Sequence, residues 1–420
     1  MNKKARDNRD RYTSLAKPVE KIELSEKHPK VKIFIVVLLA VVGAGFLSYA
    51  FVNFLNQDEG WSEIQASTSS ELNCSEDFVF QYNLSDGGIY KNLQETYTDA
   101  CVKAYKLFNI DEENDDYKNV CYINNHPNQE IVVDDVLYSA FEKLASYGDR
   151  SLYLGPVYDY YDNVFYSAND TEAQDYNPYM NEDLKKEYSE IAQFAADESQ
   201  VNLELMGDNR VKLVVSQDYL EYAKTNYITN FIDFYWMKNA FIVDYIADTF
   251  ISQGYTSGII SSTDGYIRAL GSTDDGYACN LYNLQGDTVY VAGDYSYNEA
   301  RSMVTYRAYA ISEADKYRVY EQADGDIRTK YLSMQDGLDK EALSEYVAYS
   351  DNLECSDVLL STKDYYIADE FDSDSVTALA KNDINSIFIQ DSVVYYTDKE
   401  LEIKDLYESD NVTFTAQILE

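Results

Sequence analysis

Apolar positions along this chain recur at two periods. Helical spacing, every three to four residues, marks residues 91–108, 184–198, 218–226 and 375–382, with another helix after a cap at Asp134 or Asp135. A further helix is expected within residues 355–371. Alternating or short apolar runs mark strands. VNLEL and RVKLVV flank the turn Gly207-Asp208-Asn209, and residues 120–125 and 130–133 read as two more strands. Beyond residue 271, Asp/Gly-punctuated strands follow (277–284, 288–295, 303–311, 317–322), with 386–390 and 392–397 near the end. Helices and strands intersperse without strict alternation, so the expected class is α+β, with a mixed, largely antiparallel sheet.

The stretch from Ile232 to Gly271 centres the pattern. Phe241, Ile242, Tyr245, Ile246 and Phe250 share one side of a helix, and Asp244 and Asp248 share another face. Gly254 is placed to end this helix. A short strand, Gly258-Ile259-Ile260, and the turn Thr263-Asp264-Gly265 follow. Taken alone, this is a β-α-β-like unit ending in a turn.

One run departs from both periods. No charged residue occurs from Ile33 to Gln57, long enough to cross a bilayer. Lys27, Lys30 and Lys32 precede it, and Asp58 and Glu59 follow. The expectation is a single-pass anchor in the cell membrane, N-terminus cytoplasmic and the large domain extracytoplasmic. A cleaved signal peptide is the competing reading, against which the run is long and starts late. The expected organisation is a basic cytoplasmic tail (1–32), a transmembrane helix (33–57), a polar tether (58–73), an outer domain (74–408) and a polar tail (409–420).

Charge sharpens the contrast. Residues 1–32 hold 10 of the 34 Lys/Arg and 5 of the 74 Asp/Glu, leaving 24 against 69 for the rest. So acidic a body repels nucleic acid and anionic lipid and favours a divalent cation. Tyrosine is abundant, at 42 copies. The five cysteines (Cys74, Cys101, Cys121, Cys279, Cys355) all follow the apolar run, without a CxxC; up to two disulfides or buried thiols are both open.

Little standard chemistry fits. Only His126 follows the apolar run, and no nucleophile motif accompanies it. Neither phosphate-loop fingerprint is present. Asp357 and Ser361, four apart in CSDVLLS, put a carboxylate and a hydroxyl on one helix face, a pair able to ligate Mg²⁺.

These residues resemble a family signature. Asp233, Asp244, Gly254, Gly265, Arg268 and Gly271 follow the spacing of the FAD:protein FMN transferases, the ApbE family. Residues 120–149, LGPVYDYYDNVF and CSDVLLS resemble further segments of that family. The resemblance implies an ApbE-like outer domain that moves FMN from FAD to a Thr or Ser hydroxyl of a flavoprotein. It implies Mg²⁺ on Asp357 and Ser361, and FAD near Asn239, Asp264, Gly265, Tyr266 and Arg268. A flavoprotein acceptor or membrane redox complex is the implied partner. The catalytic residues are not identified.

The sequence also departs from the signature. Tyr235 and Trp236 stand where the family has two glycines, Asn239 where it has lysine, Asp264 where it has glycine, and Tyr266 where it has an acid. The alternative expectation is therefore an inactive ApbE-like protein serving as a flavin-binding or protein-interaction module.

Overall fold

The computed structural model describes residues 60–67, 73–85, 87–312, 315, 317–409 and 411–419. The anchor expected at 33–57 and the tail at 1–32 lie outside them. Among the described residues, no helix is long and apolar enough to cross a membrane. The chain divides into two compact units, residues 1–62 with 83–90, and residues 63–82 with 91–420. Described elements touching the first unit are the strand Gly60–Glu63, the end of Phe78–Leu84 and a 3-10 turn at Gly87–Ile89. The second unit carries the architecture below.

Its large sheet is built from β1 (Phe78–Leu84), β2 (Gly258–Ser262), β3 (Tyr266–Ala269), β4 (Arg301–Arg307), β5 (Glu345–Ser350), β6 (Asn385–Gln390), β7 (Val393–Tyr396) and β8 (Thr415–Ile418), neighbours in that order. Each pairing is antiparallel until the last, where β7 and β8 run parallel. The class is thus α+β with a mixed, largely antiparallel sheet. The insertion between β1 and β2 holds most of the helices and a three-stranded sheet. That sheet contains the 201–215 hairpin, with Gly207, Asp208 and Asn209 all at positive φ as its turn requires.

Three helices matter most: α1 (Asp135–Ser146), α2 (Lys238–Ser252) and α3 (Cys355–Tyr366). Helix α2 packs on β2 and β3, α3 on β4 and β5, and the two helices on each other. A long hairpin, Tyr277–Gln285 with Thr288–Tyr297, packs with Met303, Val347, Tyr349 and Ile387 of the sheet. Because side chains alternate along a strand, Tyr346 and Ala348 point the other way. Strand β5 is consequently buried at every position.

Several local expectations are corrected. Residues 120–125 form a helix, not a strand, because Asn119 caps it and accepts from the Tyr122 amide at 2.9 Å. LGPVYDYYDNVF, for which the pattern predicts neither helix nor strand, is helical, with Pro156 in the first turn, where its missing N–H costs nothing. The β-α-β-like unit is a helix followed by an antiparallel hairpin, since β2 pairs directly with β3. In the segment expected as a tether, Ile64 is buried and its amide donates to Phe80 O at 2.8 Å. In the expected tail, β8 adds an edge strand and Phe414 is buried. Cys74, Cys101, Cys279 and Cys355 are free thiols.

Candidate functional site

The central stretch positions the site. Helix α2 is apolar on nearly all sides and lies buried, as its pattern requires. Asp244 is buried within it and reaches the start of α3. Its carboxylate accepts from the amides of Cys355 and Ser356, both at 2.8 Å, and from the Ser356 hydroxyl at 2.6 Å. The free amides at a helix start need such an acceptor and favour negative charge. Arg268 of β3 bridges Asp244 at 3.0 Å and Asp248 at 2.9 Å. Burial pushes the carboxyl pKa of Asp244 up, and Arg268 opposes that shift. Arg268, implied as a cofactor contact, is thus a structural ion pair between the two acids that share a face of α2.

Helix α3 carries the implied metal pair. Its first turn is a capping box, in which the Glu354 amide donates to Asp357 Oδ2 at 3.2 Å. That same oxygen accepts from Lys143 Nζ of α1 at 3.1 Å. The other oxygen accepts from the Tyr147 hydroxyl at 3.2 Å, and this hydroxyl also meets Ser361. Lys143 binds Glu354 as well. Burial works against the Lys143 ammonium, yet Glu354, Asp244 and Asp357 together hold its pKa above the ordinary value.

This arrangement does not fit Mg²⁺. A directly bound ion needs at least one carboxylate oxygen turned to it. Both oxygens of Asp357 face protein donors, and an ammonium already lies against the pair. Among the described residues, no three His, Cys, Asp or Glu side chains group as metal ligands.

The implied flavin contacts lie around the β2–β3 turn. Asn239 Nδ2 donates to Asp264 Oδ2 at 3.0 Å, while Asn239 Oδ1 and Asp264 Oδ1 are buried with no hydrogen-bond partner among the described residues. Burial raises the Asp264 pKa. Gly265 has φ +98°, and a Cβ there would meet Thr305 O at 2.4 Å. Its role is therefore a left-handed turn pressed against β4.

Large side chains fill the adjoining space. Tyr266 is buried, and its hydroxyl donates to Trp236 O at 3.0 Å. The Trp236 indole sits edge-on to Tyr331, 5.2 Å between centroids. Tyr331, Tyr306, Tyr366 and Tyr346 continue the cluster, with Tyr306 stacked on Tyr346 and Tyr366. Tyr235 has φ +46° and stacks on Tyr158 at 4.6 Å, its hydroxyl donating to Asp162 at 2.8 Å. Asp233 accepts from the Tyr235 amide at 2.8 Å, and burial pushes its pKa up to about 7.

A cavity of about 360 Å³ opens between α1 and α2, lined at the start of α3 by Lys143, Asp244, Glu354 and Ser356 and not by the aromatic cluster. Phe108, Phe241 and Tyr245 supply apolar wall, and Asp135, Asp248, Lys143 and Glu354 the polar part. Sequence reasoning marked none of these as a cleft, nor Lys143 and Tyr147 as partners of α3. The only sequence signal for that pair is their four-residue spacing, Lys143 in the last turn of α1 and Tyr147 at its C-cap. Their partners lie more than 200 residues away.

No protein-family model matches the sequence, and no curated protein matches it. Solved structures do. The ApbE protein of Thermotoga maritima superposes with a TM-score of 0.55 at 12% identity, over 82% of this chain and 97% of that one. The flavin transferase ApbE of Vibrio cholerae gives a TM-score of 0.51 at 12% identity, over 78% of this chain and 93% of that one. The chain has the ApbE-like fold.

Proposed function

We propose that this protein uses a flavin-transferase-like fold as a membrane-anchored, extracytoplasmic binding module without the transfer reaction. The observation that carries this reading is the lock between Trp236 and Tyr266. Both side chains are buried, the Tyr266 hydroxyl donates to the Trp236 backbone carbonyl at 3.0 Å, and the two residues stand where the ApbE signature has a glycine and an acid. Trp236 packs edge-on to Tyr331, so aromatic side chains fill space that a glycine at this position would leave to a ligand. The apolar run at 33–57 supports the anchor. The excess of 69 acids over 24 bases beyond residue 32 favours a basic protein surface as partner.

The test uses the full chain in detergent with FAD, Mg²⁺ and a Thr-containing flavin-acceptor peptide. The expected result is no release of AMP and no FMN on the peptide. Transfer of FMN would overturn the proposal and restore the enzyme reading.

A second reading, a flavin binder without chemistry, is favoured by the cavity of about 360 Å³, which is of small-ligand size. Its apolar wall suits a ring system, but Asp135, Asp248 and Glu354 repel phosphate. Riboflavin is therefore a better probe than FAD. Saturable quenching of riboflavin fluorescence by the protein would support this reading.

A further inference from the structure

The disagreement between Asp357 and a bound metal has a specific form. The Lys143 ammonium lies 3.1 Å from Asp357 Oδ2 and also binds Glu354, so two carboxylates from one helix start converge on one cation. The Tyr147 hydroxyl closes the other side, 3.2 Å from Asp357 Oδ1 and in contact with Ser361. Both Asp357 oxygens and one oxygen of Glu354 are engaged by Lys143 of α1 and by Tyr147, the residue that caps its end. Lys143 is well placed to persist there. Its side chain is only 21% exposed, and Asp244 adds a third nearby negative charge.

We propose that Lys143 is a built-in cation that takes the place of a divalent metal at Asp357 and excludes it. An ammonium carries one charge, three donors and no demand for octahedral geometry. It neutralises the helix start without an external ion. The corollary is a latent metal site. Without the ammonium, Glu354 and Asp357 face each other across the space that Nζ held. Arg268, 4.0 Å from Glu354, offsets only part of their charge, and two partly buried carboxylates so placed bind a divalent cation in preference to remaining undercompensated. This inference rests on the non-transferring reading of the same helix start, but its test measures metal binding directly.

The test compares full-length wild type, Lys143→Met and the double variant Lys143→Met/Asp357→Asn. Mn²⁺ binding is followed by electron paramagnetic resonance, and melting temperature is recorded with and without Mg²⁺. Wild type is expected to show no Mn²⁺ binding that Asp357→Asn removes. Lys143→Met is expected to gain one site, at least about tenfold tighter than the background of the acidic surface, and a Mg²⁺-dependent rise in melting temperature. The double variant is expected to lose both. Lys143→Arg keeps the charge and is expected to behave as wild type. If Lys143→Met does not fold, Lys143→Gln replaces it. If neither folds, an Asp357-dependent Mn²⁺ site in wild type or Lys143→Arg overturns the proposal, and the absence of one in both supports it. An Asp357-dependent Mn²⁺ site in wild type overturns the inference even if no flavin is transferred. FMN transfer without that site overturns the binding-module reading and leaves this one standing.

Discussion

The carboxylate of Asp244 caps helix α3 from 112 residues away, accepting the Ser356 amide at 2.8 Å and its hydroxyl at 2.6 Å. This contact ties the two helices that pack on the sheet. It also fixes where Glu354 and Asp357 point, since both lie in the same first turn. The site is thus held together by a buried acid.

Asp244→Ala removes three hydrogen bonds and one partner of Arg268. Breaking a buried pair from one side costs about 3–5 kcal/mol, and the lower end applies because Asp248 still holds Arg268. Urea unfolding should show a lower midpoint with an unchanged slope. A loss below about 1 kcal/mol would mean that the cap carries little of the stability.

Tyr266→Phe keeps the ring and removes only the hydrogen bond to Trp236 O. The expected loss is about 1 kcal/mol. Trp236→Ala empties packed space against Tyr331, and about 3–5 kcal/mol is expected. Calorimetry of both variants separates the polar from the packing contribution. Equal losses would contradict the aromatic packing described here.

Gly265→Ala meets two obstacles, a φ of +98° and Thr305 O at 2.4 Å from the new Cβ. Destabilisation well above about 1 kcal/mol is expected. Thermal unfolding decides it. A neutral substitution would show that β4 gives way easily and that the glycine has some purpose other than this turn.

Two buried carboxyls and one half-buried one set a pH dependence. Burial raises Asp233 to about 7 and Asp339 to about 6; Glu341 rises to about 7 through burial and then the charge of Asp339. Their unfolded values lie near about 4. Between about pH 4 and 7 the folded chain holds protons that the unfolded chain has released. Stability is therefore full below about pH 4 and falls as pH rises through the folded values. The urea midpoint should drop from pH 5 to pH 8, and Asp233→Asn should flatten that slope. A midpoint that climbs over this range would contradict the burial of these acids.

Much of the fold was legible because its signals are local. The 201–215 hairpin, the α2 helix and the strands after residue 271 follow from period and turn residues. Residues 120–125 misled, because Asn119 as a helix cap outweighs their strand-like composition. The candidate site was legible only in part. Asp357 and Ser361 stand out by spacing on one helix, but Lys143 and Tyr147, which engage Asp357, lie at the end of another helix far along the chain.

The sequence by itself determined the apolar run, the acidic body and the helix and strand periods, because each depends on neighbours within a few residues. It also displayed the replaced positions Tyr235, Trp236 and Tyr266. Only the tertiary structure decided what those replacements do. Tyr235 keeps a left-handed backbone at φ +46°, and Trp236 and Tyr266 lock together across 30 residues. Whether Asp357 faces a metal or an ammonium was likewise decided by packing α1 against the start of α3, since a carboxylate's partner is set by what the fold brings within about 3 Å of it.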